Sequence, residues 1–101
     1  MYNKALEISE NIRDKEKISA IYINLGVIYY TRGDLVKAEE MQNKSLQIAE
    51  KMDNNEQMAS IYGNLGDIYQ SRGDSVKAEQ LYKKTLLIHM LIAIGIICYL
   101  A

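Results

Sequence analysis

Two stretches of this chain recur in the same order 40 residues later. Ile21-Tyr22-Ile23-Asn24-Leu25-Gly26-Val27-Ile28-Tyr29 returns as Ile61-Tyr62-Gly63-Asn64-Leu65-Gly66-Asp67-Ile68-Tyr69. Arg32-Gly33-Asp34-Leu35-Val36-Lys37-Ala38-Glu39 returns as Arg72-Gly73-Asp74-Ser75-Val76-Lys77-Ala78-Glu79. A unit this short cannot enclose a core of its own, so it must bury its apolar face on its neighbours in a stack. The repeat therefore restricts the fold before any single residue is considered.

The apolar residues within each copy follow a helical spacing. Tyr22, Leu25, Gly26 and Tyr29 fall at i, i+3, i+4 and i+7, one stripe of an α-helix, and Tyr62, Leu65, Gly66 and Tyr69 repeat it. Both stripes run into Arg-Gly-Asp, at 32–34 and 72–74. Gly33 and Gly73 suit the left-handed conformation that ends a helix, and Asp34 and Asp74 suit capping the next one. A second helix is expected to begin near Leu35 and near Ser75. It carries Ala38, Met41, Ser45, Leu46 and Ile48 in one copy and Ala78, Leu81, Thr85, Leu86 and Ile88 in the other. The small residues Gly26 and Ala38 let the two helices of a hairpin approach, where a large side chain would overpack them by roughly 1–3 kcal/mol. Arg13-Asp14 and Asn54-Asn55 mark the loops between hairpins, with Asp14 and Asn54 as expected caps. Proline is absent, so no helix interior is broken by it.

Leu-Gly followed three residues later by Tyr, then Gly-Asp, then Ala five residues past that Gly, resembles the tetratricopeptide repeat. The resemblance implies an all-α solenoid of helical hairpins wound as a right-handed superhelix, with about two and a half units in this chain. Residues 1–12 correspond to the second helix of an incomplete unit, 16–52 to one full unit, 56–88 to another, and 89–101 to an apolar C-terminal segment outside the pattern. The chain departs from the usual repeat in its longer second helix and loop and in lacking the proline at the unit's end. Met1 to Glu10 align with Met41 to Glu50, inside a helix. The expectation is a fragment of a longer array, or a homo-oligomer that pairs open solenoid ends.

After Ile88 the amphipathic pattern stops. Residues 89–101 carry no formal charge and no polar stripe, so the segment calls for burial on all sides. Three readings compete: a membrane anchor flanked by Lys83 and Lys84, a helix packed across a solenoid end or between subunits, and a shifted reading frame. The uncharged run through residues 86–101 is shorter than the about 20 residues a spanning helix normally needs, which disfavours the anchor.

Composition narrows the partners. The chain has 101 residues, 49% apolar and 25% charged, with a formal net charge of −1. That balance argues against nucleic acid, which needs a clustered excess of Lys and Arg. One cysteine and one histidine cannot assemble a zinc site by themselves, and no cofactor motif is present. His89 stands alone in the apolar tail, Cys98 lies nine residues on, and no nucleophile motif is readable, so an enzyme is not expected. The charged N-terminal stretch lacks the apolar core of a secretory leader. A cytoplasmic setting is the expectation, with membrane association through residues 86–101 as the alternative.

The resemblance implies that the first helices line the concave side of the superhelix and that the partner is a protein or peptide. The two copies differ there at Ile23 against Gly63, Val27 against Asp67 and Tyr30 against Gln70, a set at i, i+4 and i+7 on one face. That face is apolar in one unit and polar in the next, which would suit a peptide offering an apolar anchor beside a polar group. Asn24 and Asn64 flank it and have amides able to grip a peptide backbone. Candidate partner-binding residues are therefore Ile23, Asn24, Val27, Tyr30, Asn64, Asp67 and Gln70. The competing reading is structural, with Ile23 and Val27 packed against the missing helix of the incomplete first unit and Asn24 and Asn64 bonded to neighbouring helices. Domains of this family that clamp a carboxylate use basic or amide groups where Ile23, Gly63, Val27 and Asp67 stand here, so that activity is not expected.

Overall fold

A computed structural model describes the backbone of residues 2–100 and the side chains of residues 11–100. Met1 and Ala101, the outer ends of the two terminal segments set out above, lie outside the described residues. Among the described residues four helices follow one another: α1 (Tyr2–Thr31), α2 (Leu35–Lys51), α3 (Asn55–Ser71) and α4 (Ser75–Leu100). α1 packs on α2 and α3 on α4 as antiparallel hairpins, α2 rests on α3, and α1 meets α3 along a narrow seam. This is the all-α helical-hairpin repeat fold that the spacing predicts.

The turns are built as the residues require. Gly33 and Gly73 take φ of 84° and 85°, where a side chain would be strained. Asp34 accepts from Lys37 N and Asp74 from Lys77 N, each at 3.1 Å. Asn54 caps α3 through Gln57 N, also at 3.1 Å. The turn before it depends on Asp53, which adopts φ of 51°.

One expected turn does not form. Arg13-Asp14 lies inside α1, so residues 2–12 are not a separate helix and Asp14 caps nothing. The repeat supplies the reason: Arg13 occupies the place of Asp53, and Asp enters the left-handed region several times more readily than most side chains. Residues 11–18 are all exposed, so no packing overrides the local preference for helix.

The core sits where α2, α3 and α4 meet. Ala38, Ala49, Ile61, Leu65, Ile68 and Leu81 are buried there, with Ile23, Tyr29, Leu35 and Leu46 packed around them. Two polar contacts, one buried and one partly buried, bind the hairpins. Ser45 donates its hydroxyl to Ser19 O at 2.9 Å, and Thr85 donates to Ala59 O at 3.0 Å, the same lock in both copies. Glu39 of α2 accepts from Tyr69 of α3 and, at 2.6 Å, from Arg72 just beyond it, tying one hairpin to the next.

Candidate functional site

The seam between α1 and α3 is the place to which the repeat brings its most divergent residues. Val27 and Tyr30 come from α1, Asn64 and Asp67 from α3, and together with Gly26, Thr31, Gln42 and Ile68 they line a cavity of about 270 Å³. Helical spacing puts Val27, Tyr30 and Thr31 on one side of α1, and the antiparallel hairpins place the corresponding turn of α3 beside them. α1 and α3 are the first helices of their hairpins, so the cavity opens on the face shared by both.

The seven residues singled out from the sequence divide. Val27, Tyr30, Asn64 and Asp67 line the cavity. Ile23 is half-buried and packs against the core of the helices present. Asn24 and Gln70 are exposed and do not line the cavity. Neither asparagine side chain hydrogen-bonds a neighbouring helix among the described residues, which leaves the Asn64 amide available within the groove.

Polar groups in the groove are partly committed. The hydroxyls of Tyr30 and Ser71 share a hydrogen bond of 3.0 Å between α1 and α3. Thr31 donates to Val27 O at 2.9 Å. Asp67 Oδ1 accepts from the Tyr82 hydroxyl at 2.5 Å. That hydrogen bond, ahead of partial burial and of the charges of Asp67 and Tyr30, pushes the Tyr82 hydroxyl up to about 12, so at neutral pH it is a firm donor.

Gln42 is the residue the first-helix comparison missed. It stands on α2 but reaches through the hairpin to the groove floor, where Nε2 donates to Ile23 O at 3.1 Å and Oε1 has no partner. A signal is present in the sequence: the 40-residue alignment sets Gln42 against Tyr82, a polar amide against a ring, on the second helix of each pair. Both side chains lie over a glycine. A Cβ on Gly26 would stand 2.4 Å from Gln42 Nε2, and one on Gly66 would stand 2.6 Å from the Tyr82 ring.

Other features have different chemistry. A cavity of about 510 Å³ between α1 and α2 is lined by Ile12, Lys15, Glu16, Ile48, Lys51 and Met52, beside the straight course of α1 past Arg13. Among the described residues no group of His, Cys, Asp and Glu is placed to hold a metal. His89 and Cys98 share α4, but nine residues at about 100° each set them on opposite sides of it. α4 is long and apolar enough to cross a membrane, judged by length and composition.

A family model described as tetratricopeptide repeat matches residues 1–51 and, in a second register, residues 17–90. No curated protein matches the chain.

Proposed function

The chain belongs to the tetratricopeptide repeat family, whose members generally mediate protein–protein interaction, and from that membership we propose that it is a scaffold gripping an extended or helical segment of a partner along the α1–α3 face. The supporting observation is the groove itself. Val27, Tyr30, Thr31, Gln42 and Asp67, which all differ from their copies 40 residues away, converge on one cavity beside the shared Gly26, Asn64 and Ile68. An apolar wall at Val27 and Tyr30 faces a polar wall at Asn64 and Asp67, the pairing that anchors one side chain of a bound segment and orients its backbone. The setting is cytoplasmic on this reading.

Peptides selected from a random library on the full chain test it. Val27 is exposed, so Val27→Arg should leave the melting temperature within about 2–4 °C while blocking the groove, since exposed substitutions seldom change stability by more than about 0.5 kcal/mol. The selected peptides should then lose binding. Peptides that bind the Val27→Arg chain as well as the parent would overturn the reading.

A second reading, a membrane-tethered adaptor, is favoured by one observation. Residues 93–100 are all exposed, more than two full turns, so no side of the end of α4 rests on the protein. A helix apolar all round calls for lipid or for other helices, and Lys83 and Lys84 stand where flanking charges would meet headgroups. Flotation with phosphatidylcholine vesicles containing phosphatidylserine should carry the chain upward, and Ile94→Lys should leave it at the bottom of the gradient. A parent chain that stays with the soluble fraction would remove this reading.

A further inference from the structure

We infer that the cavity between α1 and α3 receives the charged end of a lysine or arginine side chain of the bound segment, held by the buried amide oxygen of Gln42 and the carboxylate of Asp67. The inference rests on the groove reading above and names the chemistry of its anchor.

Gln42 is fully buried. The bond from its Nε2 to Ile23 O, 3.1 Å, sets the amide's orientation, because the reverse would press two oxygens together. Oε1 is then turned away from Ile23 and has no hydrogen-bond partner. A buried acceptor left unpaired is unfavourable, and a donor that reaches it removes the penalty. Because Gln42 is fully buried, the donor reaches Oε1 only as the exposed side chains of Val27 and Tyr30 move aside.

The two units fill the matching position differently. Tyr82 covers Gly66 with its ring and carries its hydroxyl on to Asp67. Gln42, at the matching position, covers Gly26 but ends at the Ile23 carbonyl, and no ring continues into the groove.

Charge decides the class of donor. No Lys, Arg or His lines the cavity, and Asp67 makes no ion pair among the described residues. An acidic group would meet the carboxylate, and a neutral amide would satisfy Gln42 while leaving the charge of Asp67 uncompensated. An ammonium or guanidinium has donors enough for both, and its aliphatic stem can lie against Val27 and the Tyr30 ring.

The peptides selected on the full chain supply the probe. They should be enriched in one basic residue, and replacing it with citrulline or norleucine should weaken binding about tenfold or more, the loss of a charge-assisted hydrogen bond. Asp67→Asn should weaken the parent peptide similarly while scarcely affecting the citrulline or norleucine version. Gln42→Tyr, which installs the residue of the second unit, should abolish binding with the fold retained by circular dichroism. Should that variant fail to fold, Asp67→Asn, at an exposed residue, decides alone. Peptides sensitive to Val27→Arg yet lacking a basic residue, or indifferent to citrulline or to Asp67→Asn, overturn the anchor and leave the groove reading standing. Peptides indifferent to Val27→Arg overturn both.

Discussion

Tyr82 shows how one hydrogen bond sets the behaviour of a residue. A tyrosine in an unfolded chain loses its proton near pH 10. With Asp67 accepting from it, the folded chain keeps that proton to about 12. The folded state therefore binds the extra proton between those values. The stabilisation it brings is complete below pH 10 and disappears as pH rises through about 12. Tyr82 is partly exposed, so solvent screening keeps the effect small. Ultraviolet absorbance should reveal a late-titrating tyrosine that Tyr82→Phe removes and that Asp67→Asn returns toward the ordinary range. A titration unchanged by Asp67→Asn would show that the carboxylate is not the cause. At this scale the sequence revealed Val27 against Asp67 as a difference, but not that Asp67 would be tied to Tyr82. Helices α3 and α4 bring these two together, and spacing within one helix contains no information about its neighbour's rotamers.

The elements hold together through a lock repeated in both hairpins. Ser45 bonds Ser19 O and shares a 2.8 Å hydrogen bond with the Ser19 hydroxyl, all buried. Ser45→Ala would leave the Ser19 hydroxyl without that partner and should destabilise the chain by about 1–2 kcal/mol in urea unfolding. Thr85→Val, removing the matching bond to Ala59 O at a less buried place, should cost less. Equal losses would mean that burial is not what gives these bonds their weight. Helix ends at Gly33, Asp34, Asn54, Gly73 and Asp74 were legible because capping is local chemistry. The end expected at Arg13-Asp14 was inferred from position in the repeat rather than from residue type, and there residue type prevailed.

The whole molecule is uneven in a way the repeat exposes. Ile61 and Ile68 are 0% and 1% exposed beneath α2, whereas their copies Ile21 and Ile28 are 56% and 44% exposed on α1. Leu65 is buried and Leu25 only half so. The register is shared, but α3 packs between α4 and the first hairpin, whereas α1 packs on α2 and meets α3 only along a narrow seam. An apolar stripe left open in this way promotes association. Sedimentation of the full chain should show concentration-dependent self-association, and Ile21→Lys with Ile28→Lys should reduce it without lowering the melting temperature. A parent chain that stays monomeric at high concentration would count against this. The extent of 52 Å along the longest axis accompanies the long helices α1 and α4.

The sequence by itself determined the paired helices, their caps and the identity of the repeated unit, because period, glycine placement and capping are properties of neighbours along the chain. It also singled out four of the residues that line the groove. Only the tertiary structure decided that Gln42 lines the groove from α2, that Ile23 packs against the core, and that no packing overrides the helix that residue type favours past Arg13. Those outcomes depend on which side chain from another helix fills a given space and on whether packing is present to force a turn. A linear pattern does not encode either one.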